Sequence, residues 1–313
     1  MRNTSTFVNT EIQTYLETGY RDPNSRGWPG SNFLEQEINA ECILRDALVD
    51  AVQQRLFGLP RLPSPTIGDL VSLARAKVMP MVNGLFAENE RPTVMTALSK
   101  SVVFLTPDNI EPVLRAATWL STSWNLANMY LLERQAKPLS PDAPQIVGLS
   151  EETTCYLGLD YLRNWRDDGF DDYLVHEAAH IFHNCKRTTL GLTETRSREF
   201  LLNIDFSKRE LFAYACEAFS RLLVLADSPK GRRAALSKHA SGSLPGKDVM
   251  NQQEYLDILA QAVNAKNGWK RILQACAPKP SCSTQPHHIE PVPKHRLRHR
   301  YQMLMVGQKK HLG

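Results

Sequence analysis

Between Asp171 and Cys185 the chain reads Asp-Asp-Tyr-Leu-Val-His-Glu-Ala-Ala-His-Ile-Phe-His-Asn-Cys, and no other segment is so restricted in what it can become. Advance about 100° per residue from His176 at zero: His180 falls near 40°, Glu177 near 100° and His183 near −20°, whereas Leu174, Ala178, Ile181 and Cys185 lie between about 140° and 200°. The pattern predicts a helix whose apolar side packs rigidly and whose other side presents imidazoles. Asp171 or Asp172 suits its start, where a carboxylate complements the helix dipole.

Two histidines four residues apart stand one turn from each other, within reach of a single Zn²⁺, and the glutamate between them lies beside the open coordination position. A working centre needs a third donor from elsewhere. Glu210, Ala213, Tyr214 and Glu217 recur at i, i+3, i+4 and i+7 and form one stripe, with Leu211, Phe212, Ala215, Phe219 and Leu222 left to bury the rest. Ala213 is small enough to let this helix approach the first closely. Either Glu210 or Glu217 fits the third position. His183 lies about 4.5 Å further along the axis than His180, an awkward place for a ligand, and reads as a supporting or solvent-facing residue.

On these residues the chain resembles the gluzincin class of zinc metallopeptidases, most closely toxin-type and mobile-element-borne members. The resemblance covers roughly Thr153 to Leu225. It implies that His176 and His180 are ligands, that Glu177 is the general base, and that Glu210, heading Glu-Leu-Phe-Ala, is the third ligand. Glu217 heads a second such string, Glu-Ala-Phe-Ser, and stays open as ligand or as the group orienting a histidine. Tyr214 is a candidate to stabilise the oxyanion, or packs beside the site. By fold analogy, Thr153–Leu159 is expected as an edge strand for a peptide substrate. His183, and Tyr214 where an acidic residue is expected, depart from better-known members. The long metzincin pattern is excluded, since no Gly and third His follow at its spacing.

The expected function is zinc-dependent peptide-bond hydrolysis on peptide or protein substrates. A non-catalytic binding or regulatory protein on a zincin-like scaffold is the alternative, although a structural zinc site has no use for Glu177.

The expected fold is α+β: a helix-rich zincin-like catalytic region with a small sheet over 101–276, a helical N-terminal region over 1–100, and a basic, proline-rich tail over 277–313. Residues 1 to about 30 read as an irregular arm. Asn32 and Glu35 form a capping-box pattern before apolar residues at helical spacing to Leu56. A helix begins after Thr66, and Pro80 is expected to kink or end it. Ser101–Leu105 reads as a strand, Pro112–Gln135 as one helix, Ile146–Leu149 and Thr153–Leu159 as strands, and Ser207–Leu225 and Gln252–Gln274 as helices.

With 42% hydrophobic and 22% charged residues and no apolar run of membrane-spanning length, a membrane-spanning helical protein and a mainly disordered one are not expected. Met1–Thr6 does not lead into a secretory signal, and six cysteines (Cys42, Cys155, Cys185, Cys216, Cys276, Cys282) are too sparse for a disulfide framework. The expected compartment is the cytoplasm, with signal-less secretion left open. The net charge of +4 is unevenly placed: from Ala277 onward Lys279, Lys294, Arg296, Arg298, Arg300, Lys309 and Lys310 stand against Glu290 alone, a net +6, which leaves −2 on the rest of the chain. A nearly neutral body argues against nucleic acid as a partner, leaving the run Lys294–Arg300 as the one feature with that potential. Cys276, Cys282, His287 and His288 fit no strong zinc spacing. No feature signals an oligomeric state.

Overall fold

The computed structural model describes residues 4–24, 26–60, 67–151, 153–161, 169–195 and 198–278. The tail features just named, from Lys279 onward, lie outside them. The protein is helix-rich with one small mixed sheet, compatible with α+β. Two compact units share the chain: residues 1–66, 104–151 and 156–162 form one, and 67–103, 152–155 and 163–313 the other. Residues 1–100 and 101–276 are thus each divided between the units.

The first unit is built on helices α1 (Thr4–Thr18), α2 (Phe33–Leu56), α5 (Ile110–Ala116) and α6 (Leu120–Glu133). The N-terminal stretch is helical where an irregular arm was expected. Its threonines and asparagine give it poor intrinsic propensity, and long-range anchors hold it instead. Tyr15 is fully buried and its hydroxyl donates to the Leu120 carbonyl at 2.7 Å, while Trp124 Nε1 donates to the Leu16 carbonyl at 2.9 Å. At the start of α2, Asn32 Oδ1 accepts from the Glu35 amide at 3.0 Å.

The expected helix over 112–135 is in fact two. It breaks at Ala117–Trp119 because the buried Glu151 carboxylate accepts the Thr118 and Trp119 amides at 2.9 and 3.1 Å, capping α6 from a distant strand.

The second unit holds α3 (Ile67–Leu85), α4 (Arg91–Ser101), α7 (Tyr173–Asn184), α8 (Arg209–Leu225), α9 (Pro229–Ala240), α10 (Gln252–Asn264) and α11 (Gly268–Cys276). Pro80 does not end α3, which runs on to Leu85 with Val78, Met81 and Val82 buried on both sides of it. A Cβ on Gly84 of α3 would lie 2.2 Å from Trp269 Cδ1, so α3 and α11 approach this closely only because the residue is glycine. The expected helix 252–274 is divided into α10 and α11, with Asn267 capping α11 by accepting the Lys270 amide at 3.1 Å.

Strands β1 (Val102–Phe104), β2 (Gly148–Glu151) and β3 (Thr154–Leu157) are ordered β1-β3-β2. This corrects the edge-strand expectation: β3 pairs on both sides and has no free edge for a peptide, and the outer strands are β1 and β2. No helix among the described residues is long and apolar enough to cross a membrane.

Candidate metal centre

The site is built by α7 and α8 of the second unit. Leu174 and Ala178 are fully buried on α7, with Ile181 and Cys185 nearly so, and Phe182 meets Phe86 edge to face at 5.0 Å. Ala178, Ala179, Ala213 and Ala215, all at 0% exposure, let the two helices lie close. The segment returning from α7 closes its last turn: the Leu202 amide donates to the Phe182 carbonyl at 2.7 Å and the Leu201 amide to the Cys185 carbonyl at 2.9 Å. Glu90 holds that segment by pairing with the buried Arg187 at 2.5 Å and with Arg198 at 3.4 Å.

Asp172 occupies the N-cap position of α7, yet its side chain makes no cap. Its carboxylate instead pairs with Lys77 Nζ at 2.6 Å, and its backbone amide donates to Glu217 Oε1 at 2.7 Å.

Three donor atoms converge. His176 Nε2 and His180 Nε2 are 3.1 Å apart, and Glu210 Oε2 lies 3.9 Å from the first and 3.7 Å from the second. A tetrahedral ion with bonds of about 2.0–2.2 Å requires edges of about 3.3–3.6 Å between its ligands, so the three atoms stand within a few tenths of an ångström of coordination. Side-chain exposures of 10%, 12% and 25% for His176, His180 and Glu210 leave the approach on the Glu210 side. These residues can therefore hold a divalent cation.

Glu217 is directed elsewhere. Its Oε2 meets His176 Nδ1 at 3.0 Å, so the anion takes the Nδ1 proton and His176 presents Nε2 to the centre. His180 Nδ1 stands 2.9 Å from His183 Nε2, and His183 Nδ1 stands 3.1 Å from Asn184 Oδ1. His183 is 3% exposed, so it is not solvent-facing.

Burial works against charge on all three histidines, with different outcomes. For His176 it is overcome by the Glu217 hydrogen bond and charge, helped by Glu177 and Glu210, which raise the pKa to about 9. For His180, burial and the neighbouring His176 charge prevail over Glu210 and hold the pKa low. For His183, burial with the charges of His180 and Arg209 pushes it down to about 2. Because a metal ligand must offer a free lone pair, a cation held by His176 Nε2 would have to compete with protonation of that histidine.

Glu177 is half-buried on the same helix; complete burial, with the Glu177 charge adding to it, raises the Cys155 thiol well above its ordinary range. The Tyr214 ring packs edge to face on His176 at a centroid distance of 4.5 Å. Gly246, at φ +63°, turns the chain beside that ring, where a Cβ would lie 2.9 Å from Tyr214 Cε2. The sequence reading missed Lys77, Asp172 as an ion-pair partner, and Asn184. None carries a motif, although an aspartate at a helix start with a lysine elsewhere is a pairing only tertiary structure specifies.

Comparison with known protein families, curated proteins and solved structures finds no match for this chain.

Proposed function

We propose that the second unit is a zinc-dependent hydrolase of peptide bonds. The observation that carries this is the convergence of His176 Nε2, His180 Nε2 and Glu210 Oε2 beside a glutamate lying between the two histidines. Two imidazoles and one carboxylate also suit ferrous iron, and Glu177 is what favours zinc, because an oxygen-activating iron centre has no need of a base at that position. Zinc bound there supplies a Lewis acid and lowers the pKa of a coordinated water. Glu177 accepts a proton from the attacking water on its carboxylate and delivers it to the departing amine. Tyr214, whose ring packs on His176, is the residue to which we assign donation of a hydrogen bond to the developing oxyanion. Glu217 keeps the His176 proton on Nδ1.

Metal analysis of the purified chain with cleavage of a mixed peptide library tests the reading. About one zinc per chain and hydrolysis lost on removing it with a chelator are expected. A chain that retains iron and not zinc, or that takes up zinc and cleaves no peptide in the library, refutes it.

A further inference from the structure

His180 and His176 are steadied by groups of opposite character. Glu217, as a carboxylate, can only accept, so the hydrogen bond it shares with His176 is donated by Nδ1. His183 can give a hydrogen bond or receive one, so its own proton decides which way His180 is set.

That proton has a defined place. Asn184 Oδ1 can only accept, and at 3.1 Å it takes the proton of His183 Nδ1. His183 Nε2 then carries a lone pair and, at 2.9 Å, accepts the proton of His180 Nδ1. His180 Nε2 is left unprotonated toward His176 and Glu210. In the opposite arrangement His183 Nε2 carries the proton, His180 is protonated on Nε2, and that donor is lost to a cation. The neutral link leaves one carboxylate, Glu217, as the only acid bonded directly to a histidine ligand through Nδ1 among the described residues.

We propose that His183, held by Asn184, is a positioning residue that fixes the proton of His180 on Nδ1 and aims Nε2 at the metal. The proposal rests on the metal reading above and extends it to the group behind the second histidine.

Zinc affinity of the full-length chain, measured by competition with a chromophoric chelator, tests it together with the visible spectrum of the Co²⁺-substituted protein. His183→Leu keeps the volume and removes the acceptor, and is expected to weaken zinc by about 10- to 100-fold and to alter the Co²⁺ bands. His183→Gln supplies an amide oxygen at that place and restores affinity to within about threefold with the parent spectrum. Asn184→Ala is expected to weaken zinc by about threefold or more.

A His183→Leu protein that folds, binds zinc within about twofold of the parent and keeps its Co²⁺ bands overturns the assignment. So does a folded His183→Gln protein as impaired as the leucine variant, since packing and not the hydrogen bond is then at work. If His183→Leu does not fold, Asn184→Ala decides: parent affinity and parent spectrum overturn the proposal. A parent chain that binds no zinc overturns the metal reading itself, an outcome distinct from all of these.

Discussion

Both units bury polar side chains, but they use them differently. In the first, buried polar groups chiefly serve the backbone: Glu151 accepts the two amides that precede α6, Ser123 Oγ donates to the Leu114 carbonyl at 2.9 Å while accepting from Arg45, and Asn128 accepts the Leu139 amide at 2.8 Å while donating to the Trp124 carbonyl at 2.9 Å. In the second, His176, His180, His183 and Glu217 bond mainly to one another, and donor atoms are left facing a common point. Burial of polarity is therefore not what marks a site. A helix end needs an acceptor wherever it lies, whereas lone pairs of several side chains crowded within 4 Å repel unless a cation or proton lies among them.

The contrast breaks most sharply at the ligands. His176→Ala or Glu210→Ala should abolish zinc uptake and peptide hydrolysis, measured by metal content after dialysis, while the far-ultraviolet circular dichroism stays that of the parent. Glu177→Gln should keep the metal and lower kcat by about 10²- to 10⁴-fold. Equal activity in that variant removes the base from the account. In the first unit the outcome reverses: Glu151→Ala strands two amides and should cost about 1–3 kcal/mol in denaturant unfolding, with zinc content unchanged.

The smallest effect concerns Glu90. Burial raises its pKa, but Arg187 and Arg198 outweigh that and hold it below the ordinary glutamate value. Its contribution to stability is present above that ordinary value and is lost as pH falls through the folded one. Glu90→Gln should therefore be less stable at neutral pH and show a shallower loss on acidification, read as midpoints of urea unfolding against pH.

The paired histidines and the two acidic candidates on α8 were legible because helical periodicity alone puts such residues on one stripe. Which acid faces the histidines was not, since Glu210 and Glu217 lie on the same face and only the crossing of α7 and α8 separates their tasks. The breaks at Ala117–Trp119 and Ala265–Asn267 were hidden for a related reason: the first is stabilised by Glu151, far along the chain, and the second by a cap that sequence reads as a mid-helix asparagine. The N-terminal helix escaped notice because its stability comes from Tyr15 and Trp124. Helix α9 carried a local sign that was passed over, Ser228 followed by Pro229, with Ser228 Oγ accepting the Gly231 amide at 3.1 Å.

The ion pair of Lys77 with Asp172 joins residues 95 positions apart, and Asp172 is the residue whose amide steadies Glu217. During synthesis α3 emerges long before its partners, and the whole of α5 and α6 is made in the interval. Assembly of the centre is consequently a late event, governed by closure of a large loop, and slow refolding after dilution from denaturant is the kinetic signature to look for. A truncation beginning near residue 101 retains every donor yet discards the lysine that braces them, so expression of that fragment should give a chain with the right motif and a poorly ordered centre.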